Sequence, residues 1–139
     1  MNPMYHSKSS VKRWGGKVED YLEIHELIDS PKSCMNNNTG RMATHNTWFV
    51  NKIIPKIFGY NIINSDGKSV DTADIVMLHI SEDFRGLFIP TLQDYLKHMV
   101  VQPWMNNGVK LVDNPDSIQA AVDLKDKLRK ERLEEEETI

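Results

Sequence analysis

Apolar residues recur along most of the chain at the three- and four-residue spacing of α-helices. The pattern predicts a helix over residues 19–30 and a longer one over 41–58. The inward face of the first carries Tyr21, Ile24, His25 and Ile28. The inward face of the second carries Met42, His45, Trp48, Phe49, Ile53, Ile54 and Ile57. Pro55 is expected to kink or split the second helix, because proline removes a backbone donor.

The same periodicity predicts a central helix over Ala73–Phe84 and a further one over Thr91–Met99. Asp71 or Thr72 is expected to cap the central helix, and its inward face carries Ile75, Leu78 and His79. The inward face of the later helix carries Leu92, Tyr95, Leu96 and Met99. Residues 87–89 between the two helices read as a short buried connector.

Between residues 60 and 70 the pattern changes to that of a β-hairpin, with Asp66-Gly67 between two short β-prone runs. From Pro115 to the end the chain predicts one charged, amphipathic helix with a narrow apolar stripe. We therefore predict a mainly α fold: a compact bundle of about five helices, one small hairpin and a C-terminal amphipathic helix. The predicted organisation is a single helical domain over 1–105, a linker over 106–113 and the charged helix over 114–139.

Composition limits the class of protein. The 139 residues are 40% hydrophobic and 27% charged, which fits one globular domain. The net charge of -3 gives no general argument for nucleic-acid binding. Cys34 is the single cysteine, no apolar run is long enough to cross a membrane, and the first residues lack a signal-peptide core. We expect a cytoplasmic protein, in a host cytoplasm or a virion, with no membrane partner.

Residues 1–18 are polar and basic, with Lys12 and Arg13 beside Trp14 and the pair Gly15-Gly16. One interpretation is a phosphate-binding arm in which cations supply charge and the indole stacks on a ligand. The other is a solvated basic turn that Trp14 anchors to the core. The two glycines lack the Gly-Lys-Ser/Thr context of a phosphate-binding loop.

The candidate chemistry lies in four histidines. His79, Glu82 and Asp83 are spaced i, i+3 and i+4 on the central helix, so that an imidazole and two carboxylates lie close together. His6, His25 and His45 precede them at intervals of roughly twenty residues. Asp29 lies one turn after His25, where it could orient that imidazole. Arg41 lies one turn before His45, where it could bind an anionic ligand.

Histidine and carboxylate ligands without cysteine favour a divalent transition metal such as Zn, Fe or Mn. The predicted ligands are His25, His45 and His79, with His6 or Asp83 as the fourth group. Glu82 is the candidate general base for catalysis, while Asp83 is expected further round the helix, towards its surface. Lys12, Arg13 and Arg41 are the candidate residues for binding a phosphorylated ligand.

Two known signatures are absent from the sequence. No histidine is followed by aspartate, as an HD-type phosphohydrolase requires, and His79-x-x-Glu82 reverses the Glu-x-x-His order of dimetal helical bundles. The competing interpretation is a helical domain in which the histidines are exposed or hydrogen-bonded in the core. Which of the two holds depends on whether the helices bring the histidines together.

Several segments, in this order, resemble an uncharacterised small-domain family common in tailed phages and some bacteria. They are residues 6–16, 19–25, 57–70, 79–84 and 89–99, together with the helix that carries His45, and they place the resemblance over about 4–105. The resemblance implies a phage source and histidines at positions 6, 25, 45 and 79. Gly40 and Asn46 depart from a family pattern that is richer in Arg and His near His45.

Two functions are therefore predicted as alternatives. The first is a phage-associated metal-binding protein that binds or hydrolyses a phosphorylated ligand. The second is a non-catalytic interaction protein, either a virion accessory component or an inhibitor of a host factor. It would contact a host or phage protein through the C-terminal helix and residues 102–105, or self-associate through residues 114–133.

Overall fold

The computed structural model describes residues 2–35, 37–102, 105 and 115–137. Among them are seven α-helices, which confirm the mainly α prediction: α1 (Pro3–Trp14), α2 (Glu19–Asp29), α3 (Arg41–Thr44), α4 (Ile54–Phe58), α5 (Thr72–Asp83), α6 (Leu92–Leu96) and α7 (Pro115–Glu137). Two 3-10 helices span Ser30–Ser33 and Asn38–Gly40, and a π-helix spans Phe49–Ile53. The strands are β1 (Asn61–Ile63) and β2 (Ser69–Asp71). The chain divides into two compact units, Met1–His98 and Met99–Ile139.

The N-terminal segment is helical, so the prediction of an irregular arm or turn was wrong, while Trp14 does pack against the core as expected. The Asn2 side chain accepts a hydrogen bond from the Tyr5 amide at 2.8 Å, and proline occupies the first turn. The residues that α1 buries are His6, Ser7 and Ser10. Because this face is polar, it lacks the apolar spacing by which a helix is found in a sequence.

The predicted hairpin is confirmed and is attached to the turn before α2. The two strands pair antiparallel, with Ile62 opposite Val70. At the hairpin tip, the Ser65 amide donates to Asp20 Oδ2 at 2.8 Å, and the Gly16 amide donates to Asp66 Oδ2 at 2.8 Å. Gly16 has φ +78°, and a Cβ there would lie 2.9 Å from the Asn64 Cβ, so the turn requires glycine. These contacts fix the position of α1 against α2.

The helix predicted over 41–58 is broken once, at residues 45–46, and then continues to Phe58 with a change of helix type. The Asn46 side chain accepts from the Phe49 amide at 2.8 Å and donates to the Met42 carbonyl at 2.7 Å, so it ends one helix and caps the next. His45, at the break, has φ -94° and ψ 59°, outside helical values. The change of helix type, from the π-helix to α4, precedes Pro55, which lies in the first turn of α4.

The apolar core is shared by α2, α4, α5, the π-helix and β2. Its buried members are Tyr21, Ile24, Ile28, Phe49, Val50, Ile54, Val70, Ile75, Val76 and Ile80. The central helix agrees with its prediction, because Asp71 caps it by accepting from the Ala73 amide at 2.8 Å. Fully burying one such aliphatic side chain contributes about 1.5–3 kcal/mol, so this cluster supplies most of the apolar stabilisation of the first unit.

Several predicted inward residues are instead exposed, because the elements that carry them end early or turn. Trp48, just after the break at residues 45–46, is 47% exposed, and Ile57 on α4 is 54% exposed. Leu87 and Phe88 are 79% and 54% exposed, so the prediction of a buried connector over residues 87–89 was wrong. The helix α6 begins with a capping box formed by Thr91 and Asp94 and ends at Leu96. Met99 lies beyond this end and is exposed.

The helix α7 confirms the predicted C-terminal helix. Its charged side chains form i, i+4 pairs such as Lys127–Glu131 and Arg132–Glu136, and Leu128 and Leu133 are about half exposed. The predicted linker over 106–113 and the pair Pro103-Trp104 lie outside the described residues. In the part of the chain that the structure describes, no helix combines the length and apolar character that a membrane crossing requires.

Candidate metal centre

Four elements bring histidines and carboxylates to one point in the first unit. His25 and Asp29 are one turn apart on α2, and His79 and Asp83 have the same i, i+4 spacing on α5. His6 comes from α1 and His45 from the helix break after α3. The non-helical backbone at position 45 is what turns this imidazole towards the others. All four histidines are buried.

The centre of this arrangement is a set of two imidazoles and two carboxylates, which we call the central cluster: Asp29, His45, His79 and Asp83. One ligand atom from each lies within 4.8 Å of all the others. His45 Nε2 is 2.8 Å from Asp83 Oδ2, and His79 Nε2 is 3.2 Å from the same oxygen. His79 Nε2 is also 3.1 Å from Asp29 Oδ1. A tetrahedral ion with bonds of about 2.0–2.2 Å separates its ligands by about 3.3–3.6 Å, so these side chains would move apart by a few tenths of an ångström to hold one ion.

His25 and His6 contact the cluster without belonging to it. His25 Nδ1 lies 2.8 Å from His79 Nδ1, and its Nε2 lies 2.8 Å from the Ser10 hydroxyl. His6 stacks on His79 with ring centroids 3.6 Å apart, and its Nε2 is 3.2 Å from Asp83 Oδ1. Asp83 therefore shares its two oxygens among three imidazoles. The expectation that Asp83 lies towards the helix surface was wrong, since its side chain is 2% exposed.

Asp29 has a partner other than the one expected. Its Oδ1 lies 3.1 Å from His79 Nε2 across the core, whereas the sequence placed it beside His25. Its Oδ2 is buried and has no hydrogen-bond partner among the described residues. Lys32, one turn further on, has its Nζ 3.8 Å from Oδ1. A buried carboxylate oxygen without a donor is costly, and a cation at this position would satisfy it.

The acid–base properties of the cluster follow from burial and charge. Burial opposes ionisation of Asp83, yet its close contacts with the imidazoles of His45, His6 and His79 hold its pKa well below the usual range. Burial lowers the pKa of His79, but Asp29 and Asp83 outweigh it and raise that pKa above its ordinary value. Burial lowers the pKa of His45, and with the charge of neighbouring imidazoles it lowers that of His25 to about 3. Two carboxylates thus stay ionised beside neutral His25 and His45.

A small cavity of about 20 Å³ opens beside the cluster, with Asp29 and His45 in its wall. Lys32, Arg41 and the amide side chains of Asn37 and Asn38 line the rest, with Ile28, Pro31 and Gly40. The Arg41 guanidinium also lies over the Phe84 ring at 5.3 Å. The cavity has room for about one water or one ligand oxygen, and two cations flank it.

The other residues singled out from the sequence lie apart from this cavity. Glu82 Oε2 accepts from the Ser9 hydroxyl at 2.6 Å, and its Oε1 is 3.3 Å from His6 Nδ1. Lys12 is exposed. Arg13 lies over Trp14 at 5.6 Å and lines a separate cleft of about 420 Å³. The structure therefore brings Arg41 to the histidines, and it places Arg13 elsewhere on the surface.

Sequence reasoning missed three residues that shape the site: Asp29 as a partner of His79, and the hydroxyls of Ser10 and Thr44. The signal for Asp29 was present, because His25-x-x-x-Asp29 and His79-x-x-x-Asp83 repeat one motif on two helices. The absence of an adjacent His-Asp pair did not exclude a two-histidine, two-aspartate set assembled in space. Ser10 and Thr44 carry no distinguishing pattern in the sequence.

The comparisons with known proteins give a family for this arrangement. The family model described as a domain of unknown function, DUF6915, matches residues 1–105. This match confirms the expectation of an uncharacterised family over nearly the same residues. No curated protein and no solved structure matches the chain.

Proposed function

Because the chain belongs to the DUF6915 family, whose function is unknown, we propose from the site itself that it binds one divalent transition metal. The central cluster supplies the ligands, and nitrogen and oxygen donors without thiolate suit Zn, Fe or Mn. His25 and His6, predicted as ligands from the sequence, are assigned here to contacts with His79 and Asp83.

The observation that carries the proposal is the burial of two ionised carboxylates that converge on the same imidazole nitrogen, Nε2 of His79. Asp83 and Asp29 are 2% and 5% exposed, and Asp29 Oδ2 lacks a donor among the described residues. Burying charge is unfavourable unless it is paired, and unlike charges or a metal are the usual partners. A divalent cation between the four ligand atoms would balance both carboxylates.

We further propose that the metal acts on, or helps to bind, a phosphorylated ligand. The support is the cavity beside Asp29 and His45, where Lys32 and Arg41 provide positive charge and two asparagines provide amide donors. Asp29 is a metal ligand in this proposal, and the predicted general base Glu82 lies apart from the cavity, so binding of the ligand is proposed ahead of its hydrolysis. Phage association is kept as part of the proposal, supported by the order of the motifs over residues 4–105.

Elemental analysis of protein purified without chelators tests the metal site. We expect about one metal ion per chain, and loss of the metal in the double variant His45→Ala/His79→Ala. His98→Ala is the matched control, because His98 is exposed and makes no contact with the cluster. Wild-type protein with less than about a tenth of an ion per chain, even after incubation with Zn, Fe or Mn salts, would overturn the proposal.

Binding of inorganic phosphate tests the ligand class. Protein loaded with Co²⁺ should broaden the phosphorus-31 resonance of phosphate, since the bound anion would lie near a paramagnetic ion. Arg41→Gln should abolish the broadening at unchanged metal content, whereas Arg13→Gln should not, because Arg13 lines the separate cleft. Phosphate that binds without broadening, and whose binding is lost in Arg13→Gln, would instead support the predicted N-terminal phosphate site.

A second candidate function is protein–protein interaction through α7. Val122, Leu124, Leu128 and Leu133 are each between 44% and 50% exposed, which is unusual for a helix of this charge. Deleting residues 114–139 should lower the oligomeric mass measured by light scattering, or weaken the pull-down of a host or phage protein. An unchanged mass and an unchanged pull-down would exclude the helix as the contact.

A further inference from the structure

We infer that Thr44, His25 and Ser10 are positioning residues that fix the ring tautomers of His45 and His79, so that each directs an unprotonated Nε2 at the metal. The inference rests on the proposed metal site and assigns His25 a role other than ligand. It follows from counting protons along two chains of buried hydrogen bonds. Each chain begins at a backbone carbonyl and ends at the central cluster.

The first chain fixes His45. The Thr44 hydroxyl lies 2.6 Å from the Ile28 carbonyl oxygen and 3.0 Å from His45 Nδ1. A hydroxyl has one proton and a carbonyl oxygen can only accept, so Thr44 donates to Ile28. The hydroxyl oxygen then accepts from His45 Nδ1–H. A neutral imidazole carries one N–H, and the Nε2 of His45 is therefore a bare lone pair 2.8 Å from Asp83 Oδ2.

The second chain fixes His79 through His25. The Ser10 hydroxyl donates to the His6 carbonyl at 3.1 Å and is 2.8 Å from His25 Nε2. Because Ser10 donates its hydroxyl proton to the His6 carbonyl oxygen, its own oxygen accepts from His25 Nε2–H. The bare Nδ1 of His25 then accepts from His79 Nδ1–H across 2.8 Å. This arrangement leaves His79 Nε2 without a proton, facing Asp29 and Asp83 at 3.1 and 3.2 Å.

Both chains therefore direct lone pairs at carboxylate oxygens, an arrangement that is repulsive until a cation lies between them. A single divalent ion would satisfy both nitrogens and both carboxylates without breaking either chain. Groups that hold the second nitrogen of a ligand imidazole typically change metal affinity about 10–100-fold when removed. Ser10, His25 and Thr44 are all buried, which keeps water from replacing these contacts.

Thr44→Val removes the hydroxyl while keeping the shape of the side chain, and Thr44→Ser keeps the hydroxyl. We expect the zinc dissociation constant, measured by competition with a chelator, to rise about 10–100-fold in Thr44→Val and to return towards wild type in Thr44→Ser. Long-range ¹H–¹⁵N NMR should show the Nδ1–H tautomer of His45 in zinc-loaded wild type and its partial loss in the valine variant. Thr47→Val is the control for loss of a nearby threonine hydroxyl.

Ser10→Ala tests the second hydrogen-bond chain. Alanine is compatible with a helix, so this variant provides an independent test if Thr44→Val fails to fold. It should weaken zinc binding and disturb the Nε2–H tautomer of His25. Variants of Thr44 and Ser10 that bind zinc within twofold of wild type, or a serine variant as weak as the valine variant, would overturn the inference. A wild type that binds one zinc while these variants are unaffected overturns only the positioning role. A wild type that binds no zinc overturns the metal site as well.

Discussion

Helices α1 and α5 have the same length of twelve residues and both contribute to the centre, yet they are held by different forces. On α5 the buried residues are mainly apolar, with Ile75, Val76 and Ile80 packed in the core beside His79. On α1 the buried residues are His6, Ser7 and Ser10, and no aliphatic side chain is fully buried. One helix is attached mainly by the hydrophobic effect. The other is attached by hydrogen bonds to the site, together with the partly buried Val11 and Trp14 that pack against the core.

The difference predicts how each helix responds to change. Apolar contacts are insensitive to pH and to metal, whereas a helix attached through imidazoles and hydroxyls depends on the state of the site. We expect α5 to keep its place in metal-free protein. The packing of α1 should tighten when an ion fixes the hydrogen-bond chain that begins at the His6 carbonyl and Ser10. The following predictions separate the two cases, beginning with the largest effect.

Asp83→Ala should have the largest effect, because it removes the carboxylate that contacts three buried imidazoles. Breaking a buried ionic contact by removing one partner costs about 3–5 kcal/mol, so the free energy of unfolding in urea should fall by that amount. Metal content should fall to background. Asp74→Ala on the same helix is the matched control, since Asp74 is exposed. A variant as stable as this control would show that Asp83 is not the anchor of the site.

Ile75→Ala tests the apolar attachment of α5. Ile75 is fully buried, and truncation of such a residue costs about 2–5 kcal/mol through lost burial and the cavity left behind. The loss should be the same in metal-free and metal-loaded protein, measured by urea denaturation of each. The metal stoichiometry should stay at that of wild type. A loss that differs by more than about 1 kcal/mol between the two forms would mean that the core and the site are coupled.

Above pH 6.5, raising the pH should strengthen zinc binding and should lower the stability of the metal-free protein. His79 has a pKa raised by Asp29 and Asp83, so below that pKa the metal must displace a proton from Nε2. Zinc affinity should fall by up to about tenfold per pH unit on acidification there. The raised pKa stabilises the metal-free fold at low pH, and this contribution is lost as pH rises through it.

Below pH 6.5 a second group reverses the slope of stability. His25, with its pKa lowered to about 3, stays neutral in the fold while it takes up a proton in the unfolded chain. The metal-free protein should therefore be most stable near pH 6.5 and weaken on both sides. Urea midpoints measured across pH 4–9 would check this, and a midpoint that rises steadily to pH 9 would contradict the raised pKa of His79.

Asn2→Ala should have the smallest effect. It removes the side-chain acceptor of the Tyr5 amide, and loss of an N-cap costs about 1 kcal/mol. Asn2→Ser retains a capping oxygen and should restore most of the stability. Amide hydrogen exchange at residues 5–9 should accelerate in the alanine variant, with α5 unaffected. Exchange that is unchanged in α1 would show that the site, and not the cap, determines the stability of this helix end.

The comparison also explains which parts of the structure could be predicted from the sequence. Where a helix buries apolar residues, as α2 and α5 do, periodicity and capping residues located it within a residue or two. The hairpin followed from Asp66-Gly67 between β-prone runs. The helix α1 could not be found in the same way, because His6, Ser7 and Ser10 give no apolar spacing. The break at His45 depends on side-chain hydrogen bonds of Asn46 that no local pattern distinguishes.

For the site, the sequence identified which histidines to examine but not how they are arranged. His6, His25, His45 and His79 do meet in the core, yet only three-dimensional packing shows that Asp29 reaches His79 and that Asp83 lies among three imidazoles. Spacing within a helix predicts neighbours at i, i+4. It carries no information about which faces of different helices come together, and these contacts between helices determine which residues contribute ligand atoms to the cluster.

The most direct test of the central claim is X-ray absorption spectroscopy of the zinc-loaded full chain. The ligand set of two histidines and two aspartates predicts nitrogen and oxygen donors at about 2.0–2.1 Å, with multiple scattering from two imidazoles. The spectrum should not change in His6→Ala or His25→Ala variants that still bind zinc. A spectrum that requires three or more imidazoles, or that shows none, would contradict the ligand set of Asp29, His45, His79 and Asp83.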